Sequence, residues 1–148
     1  MPFEATWRIY AGDTDYSGRI YTPNAIDYVI RTLSEFRRGV GFADEDFEHG
    51  PVVPPARHVD IDYLGAIRVD DELTIALTPT VGETSVTHEF TGHVDGELVI
   101  EGHLTAVFID TETEEPVPVP PALVEELEAI GPEECRSRRT QTVSALPR

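Results

Sequence analysis

A chain of 148 residues, 40% hydrophobic and 26% charged, fits one domain with a modest buried core and is not a disordered polyanion. Its net charge of −17 comes from 28 acidic against 11 basic residues, and every basic residue is arginine. Without lysine there is no Schiff base, no pyridoxal phosphate anchor and no phosphate-loop lysine, and so acidic a surface suits nucleic acid poorly.

The first element expected is a strand over Glu4 to Tyr10, with Phe3, Ala5, Trp7 and Ile9 on one parity. The loop Ala11-Gly12-Asp13-Thr14-Asp15-Tyr16-Ser17-Gly18-Arg19 follows, and Thr22-Pro23-Asn24 signals a helix start. Thr22 is placed to cap and Pro23 suits the first turn. Ile26, Val29, Ile30, Leu33, Phe36 and Val40 then repeat at helical spacing. Asp27, Arg31 and Glu35 are spaced for two ion pairs, and Gly39 and Gly41 are terminators. A linker runs through His49-Gly50-Pro51. Beyond Val52 the period becomes alternating: Val59, Ile61 and Tyr63; Leu73, Ile75 and Leu77; Val86, Phe90 and Val94; Leu98, Ile100, Leu104, Ala106 and Phe108. With turns at Gly82-Glu83 and Asp95-Gly96, this predicts three or four consecutive antiparallel strands.

Pro116, Pro118, Pro120 and Pro121 stiffen the segment that closes the domain, and Ala122 to Ala129 reads as a short exposed helix. One domain over 1–131 and a disordered, arginine-containing tail over 132–148 are expected. The pattern predicts an α+β domain in which a sheet covers one long helix, with sheet edges open to a second subunit. No apolar run is long enough for a membrane-spanning helix, and the N-terminal residues lack a basic segment followed by an apolar one. Cys135 is the only cysteine and makes no internal disulfide, so a cytoplasmic protein without membrane contact is expected.

Several chemistries are missing. None of the five serines lies in G-x-S-x-G, and no G-x-G-x-x-G follows a strand. The five histidines are scattered, so no metal site is expected; His88 reads as a hydrogen-bonded core residue, His93 and His103 as surface. What remains is the loop from Gly12 to Arg19 feeding the helix start. Amides at a helix N-terminus attract an oxyanion, and a carboxylate on the preceding loop can attack a carbonyl or activate water. Asp and Gly are also ordinary turn residues, so spacing alone leaves a structural loop open.

Gly12-Asp13-Thr14-Asp15-Tyr16-Ser17-Gly18, followed by Tyr21-Thr22-Pro23-Asn24, resembles the signature of the 4-hydroxybenzoyl-CoA thioesterase family. The resemblance runs in element order from about Phe3 to Asp110, and its specific part is this stretch. It implies a hot-dog fold, an antiparallel sheet wrapped around one long central helix, in homodimers or homotetramers. It also implies an acyl-CoA substrate held at the subunit interface, with no cofactor beyond coenzyme A itself. Asp15 matches the catalytic carboxylate, as nucleophile or general base, and the Thr22 N–H matches the group that polarises the thioester carbonyl. Asp13 matches a loop-fixing residue. Gly18, Tyr21, Pro23 and Asn24 belong to the substrate-binding stretch. Arg57 lies where relatives contact ligand or the partner subunit, and it could meet a phosphate of CoA or a surface carboxylate. Many relatives carry histidine at the Thr22 position and an aromatic residue at Ala25, which opens the acyl group to question. A non-catalytic acyl- or CoA-binding module and a hot-dog hydratase or dehydratase are the alternatives.

The lysine-free acidic composition resembles that of proteins from salt-accumulating halophiles. Self-repulsion at this net charge is screened at molar salt, where the Debye length is about 3 Å. Dialysis into salt-free buffer is therefore expected to abolish the far-UV circular dichroism of the fold; an unchanged spectrum would count against a halophilic adaptation.

Overall fold

The computed structural model describes residues 2–130. Five antiparallel strands form the main sheet: β1 (Phe3–Arg8), β3 (Ala56–Tyr63), β4 (Glu72–Val81), β5 (Ser85–Val94) and β6 (Glu97–Val107). Their spatial order is β1-β4-β5-β6-β3, and β2 (Val52–Val53) pairs separately with β7 (Ile109–Asp110). Thus β3, β4, β5 and β6 are the four consecutive strands the alternation predicts, but β3 crosses to the far edge and β1 pairs with β4. The expected tail over 132–148 and the end of the domain at residue 131 lie outside the described residues.

The long helix α1 spans Thr22–Gly39 and packs against β1 and β4. Phe3, Ala5, Trp7 and Ile9 are all buried, as their shared parity predicts. Phe36 meets Phe3 edge-on at 5.4 Å, joining the last turns of α1 to the start of β1. The buried face of α1 differs from the purely apolar one: Ala25, Tyr28, Val29, Thr32, Leu33 and Phe36 point inward, while Ile30 remains 44% exposed. Hydrogen bonding sets this rotation. The Trp7 indole donates to Thr32 Oγ1 at 2.9 Å, and Thr32 donates to the Tyr28 carbonyl at 2.8 Å, so two polar side chains enter the core satisfied. On the outer face Arg31 pairs with Asp27 at 2.9 Å, and of the two ion pairs expected this is the one that forms.

Other departures have equally local causes. Thr22 does not cap α1; Tyr21 occupies the N-cap and no side chain caps there. The linker contains a helix, α2 (Asp44–Glu48), held by stacking of Phe42 on Phe47 and by the Arg37 guanidinium 5.6 Å from the Phe47 ring. The last helix, α3 (Pro121–Glu128), is not simply exposed: Leu123 and Leu127 are buried in the core. Leu98 does not share the inward parity of Ile100. The β5–β6 register shifts between Gly92 and His93, so Val99 is buried and Leu98 turns outward.

His88 is in the core, as its parity predicts, between Pro79 and Leu104 on the neighbouring strands and beside Phe36. Its Nδ1 has no hydrogen-bond partner among the described residues, contrary to the expectation. Burial first, and then the charge of Arg37, lowers its pKa to about 3. From about pH 6.5 down to about 3 the unfolded chain therefore binds a proton that the native chain refuses. Stability contributed by the neutral ring is complete above that window and is lost as the pH falls through it. Denaturant unfolding should show roughly 3 kcal/mol less stability at pH 4 than at pH 7 from this group. His88→Leu should flatten that slope; an unaltered slope would show that other groups carry the acid sensitivity.

Candidate active site

The loop after β1 is built in two parts with separate tasks. The first, a 3-10 turn at Ala11–Asp13, is anchored by Asp13, whose side chain is fully buried. Asp13 Oδ2 accepts the Tyr10 N–H at 2.9 Å and the Tyr28 hydroxyl at 2.7 Å. Its carbonyl accepts the Tyr21 N–H at 2.8 Å and the Asn24 side-chain amide at 3.0 Å. Asp13 thereby pins the entry of α1 to the end of β1, the fixing role anticipated for it, and Asn24 serves the same joint.

The second part is a tight hairpin. Thr14 pairs with Ile20, the Asp15 N–H bonds the Arg19 carbonyl at 3.0 Å, and the Gly18 N–H bonds the Asp15 carbonyl at 3.0 Å. Gly18 sits at φ 75°, the left-handed conformation that closes a three-residue hairpin loop and that a side chain would strain. Within this loop Asp15 Oδ1 accepts both the Ser17 N–H at 2.8 Å and the Ser17 hydroxyl at 2.6 Å. The hydroxyl and then the amide hold the Asp15 carboxyl below its ordinary pKa of 3.8, so it is ionised at neutral pH. The second oxygen, Oδ2, is left to other partners.

Asp15 and Thr22 line one cleft of about 470 Å³. Its walls are the hairpin residues Tyr16, Ser17, Arg19 and Ile20 on one side and the segment from Tyr63 to Ile67 on the other. Thr22 is the first residue of α1 and Pro23, with no N–H, the second; the Asn24 N–H turns back to the Tyr21 carbonyl at 2.7 Å. The Thr22 amide, in the first turn, has no acceptor within the helix. Tyr63, the last residue of β3, donates its hydroxyl to the Thr22 carbonyl and so ties the edge of the sheet to the helix start. Partial burial raises the Tyr63 phenol pKa above its ordinary value.

Of the remaining residues assigned to substrate, Gly18, Tyr21, Pro23 and Asn24 shape the loop and helix start beside the cleft without lining it. Arg57 sits at the other end of β3, at a register shift, six residues and about 20 Å along the strand from Tyr63. One chain does not bring it to the cleft. Tyr63, Arg19 and Ser17 are the site neighbours that sequence patterning did not single out. Ser17 follows Asp15 at the two-residue spacing of an Asx turn, a signal that was legible. Nothing local marks Tyr63, whose contact spans 41 residues. No histidine lines the cleft, and among the described residues no group of three metal-ligating side chains is arranged to hold a metal ion.

A family profile described as the Thioesterase-like superfamily matches residues 9–127. The chain belongs to that superfamily. No curated protein matches it. Among solved structures it is similar to a 1,4-dihydroxy-2-naphthoyl-CoA thioesterase from Synechocystis, at 17% identity and a TM-score of 0.83, covering 89% of this chain and 100% of the other. It is similar also to a gentisyl-coenzyme A thioesterase, at 18% identity and a TM-score of 0.77 over 84% and 98% of the two chains. A third similar structure is a probable thioesterase from Bartonella henselae, at 22% identity and a TM-score of 0.76 over 81% and 100%. The antiparallel sheet packed on α1 is the hot-dog fold of the Thioesterase-like superfamily, here with two further helices, α2 and α3. No helix of the described residues is long and apolar enough to cross a membrane.

Proposed function

We propose that this protein hydrolyses an acyl-CoA thioester to the free acid and coenzyme A, in the manner of the 4-hydroxybenzoyl-CoA thioesterase branch of its superfamily. The observation that carries the reading is that Asp15 and Thr22, the first residue of α1, line the same cleft. An ionised carboxylate and a helix-start amide are the two groups acyl transfer requires, one to deliver an oxygen nucleophile and one to stabilise the oxyanion. As nucleophile, Asp15 attacks the carbonyl carbon, the C–S bond breaks, the thiolate of CoA takes a proton, and water cleaves the resulting anhydride. As general base, it takes a proton from a water molecule that attacks the same carbon. In either route the Thr22 N–H faces the developing negative oxygen. Substrate supplies the coenzyme A, and the reaction needs no metal or redox cofactor.

The reading extends to a homodimer or homotetramer working in the cytoplasm of a salt-accumulating cell. Among the described residues strand β3 pairs on one side only, with β6, and Tyr63 and Leu64 at its end are 40% and 53% exposed. A second copy docking along that edge would cover the cleft and exclude water. Thiol release should be measured with short, long and aromatic acyl-CoAs at molar potassium chloride. Release from at least one class supports the assignment; none from any class refutes it. The Asx turn between Asp15 and Ser17 favours a second reading, since it accounts for Asp15 as a loop-shaping residue in a non-catalytic CoA-binding module. That reading requires a rise in melting temperature with acyl-CoA and no thiol released.

A further inference from the structure

Two arginines stand opposite one another beside the cleft. Arg19 lines it, and Arg19 and Arg68 face each other across an antiparallel bridge. The adjoining residues, Ile20 and Ile67, are joined by a 2.8 Å backbone hydrogen bond and are both buried. Strand alternation therefore turns both arginines to the opposite, exposed side. Asp15 is opposite Arg19 in the hairpin, so the carboxylate, Arg19 and Arg68 form one row across three adjacent segments.

Like charges directly opposite each other in a sheet are destabilising. In a chain of net charge −17, a carboxylate to relieve them is easily supplied. Among the described residues neither guanidinium forms an ion pair, whereas Arg8 and Arg31 each do. Asp71 accepts the Arg68 backbone N–H at 2.7 Å and Asp15 Oδ1 accepts Ser17, and neither of these acids forms an ion pair with Arg19 or Arg68. The row thus keeps two planar donors open next to a cleft, an arrangement suited to a phosphate or carboxylate.

We propose that Arg19 and Arg68 form an anion subsite of this cleft, taking either a phosphate of coenzyme A or a carboxylate on the acyl chain of the thioester. The inference rests on the thioesterase reading for its substrate class. Segment spacing of about 4.8 Å puts Arg68 roughly 10 Å from Asp15 along the row, and its side chain reaches further. The reacting carbonyl and the anionic group therefore occupy separate places on the same substrate.

The test compares wild type with the double variant Arg19→Gln, Arg68→Gln on butyryl-CoA, succinyl-CoA and butyryl-pantetheine, at the lowest salt that preserves the wild-type circular dichroism. Removing two opposed charges should leave the melting temperature unchanged or raise it, so the variant remains folded. The expected result is a KM for butyryl-CoA raised about tenfold or more, with kcat within about twofold. If butyryl-pantetheine is then unaffected, the anion is a phosphate of CoA. A defect confined to succinyl-CoA identifies an acyl carboxylate. Unchanged KM for all three substrates, or a loss in kcat alone, overturns the subsite. Should the wild type hydrolyse none of them, calorimetric titration with free CoA and with succinyl-CoA judges the arginines by themselves, and the thioesterase reading fails only if long and aromatic acyl-CoAs are spared too. Weaker binding of either ligand by the variant supports the subsite; equal binding of both, or of neither by the wild type, overturns it.

Discussion

Asp15→Asn is expected to lower the rate of thioester hydrolysis by about 10²–10⁴ while leaving the fold intact. The substitution is informative because of the way Asp15 is held. The Ser17 N–H and hydroxyl both donate to Oδ1, and an asparagine presents an equivalent carbonyl oxygen to the same two donors. The Asx turn, the Gly18 conformation and the wall of the cleft should therefore persist. What disappears is the negative charge and the second carboxylate oxygen, which both the nucleophilic and the general-base routes require. The thiol-release rate should fall with the circular dichroism and melting temperature unchanged. Wild-type turnover by the variant would remove Asp15 from the chemistry, whatever the fate of the thioesterase assignment itself.

Gly102→Ala should be the most destabilising single-methyl substitution in the sheet. A Cβ at Gly102 would lie 2.0 Å from the Asp60 carbonyl oxygen and 2.8 Å from both the Asp60 carbonyl carbon and the Phe90 ring. The obstruction is backbone, and it cannot swing aside as a side-chain terminus can. Gly102 sits opposite Ile61 on β3 and Phe90 on β5, so relief requires β3 to move off β6 or the core around Phe90 to repack. Overpacking of this kind costs about 3 kcal/mol, or about 10 °C in Tm for a domain of this size. Because β3 ends at Tyr63, a displaced strand also withdraws the hydroxyl from the Thr22 carbonyl. The variant should lose activity below its own melting temperature, to a degree that Gly12→Ala, which meets nothing within 4 Å, should not. A Gly102→Ala protein as stable as wild type would show that the β3–β6 contact is looser than described.

Much of the architecture was legible because periodicity is a local property. Trp7 and Ile9, or Leu73, Ile75 and Leu77, declare their burial within a few residues of themselves. Leu98 misled for the complementary reason: its register depends on a bulge opposite Gly92 and His93, on a different strand. The rotation of α1 away from Ile30 was likewise set from outside, by the Trp7 indole reaching Thr32. In the site, the loop carrying Asp15 could be read from Asp13, Asp15 and Gly18 because turns are made by neighbours, although its hairpin pairing of Thr14 with Ile20 was not. The far wall of the cleft, Tyr63 to Ile67, could not, since only the return of β3 to the helix start brings it there. Arg57 shows the same limit. Its type suited a phosphate, but its position along β3 keeps it away from the cleft of its own chain.

The bond from Tyr63 to the Thr22 carbonyl has one more implication. It makes the terminal residue of an edge strand a mechanical part of the helix start. If a second copy pairs along that strand, self-association and ligand occupancy share a structural element, and their free energies are coupled. Coupling of that sort is reciprocal: whatever factor assembly adds to ligand affinity, ligand returns to the assembly constant. Dilution and substrate starvation would then be two routes to the same loosened state.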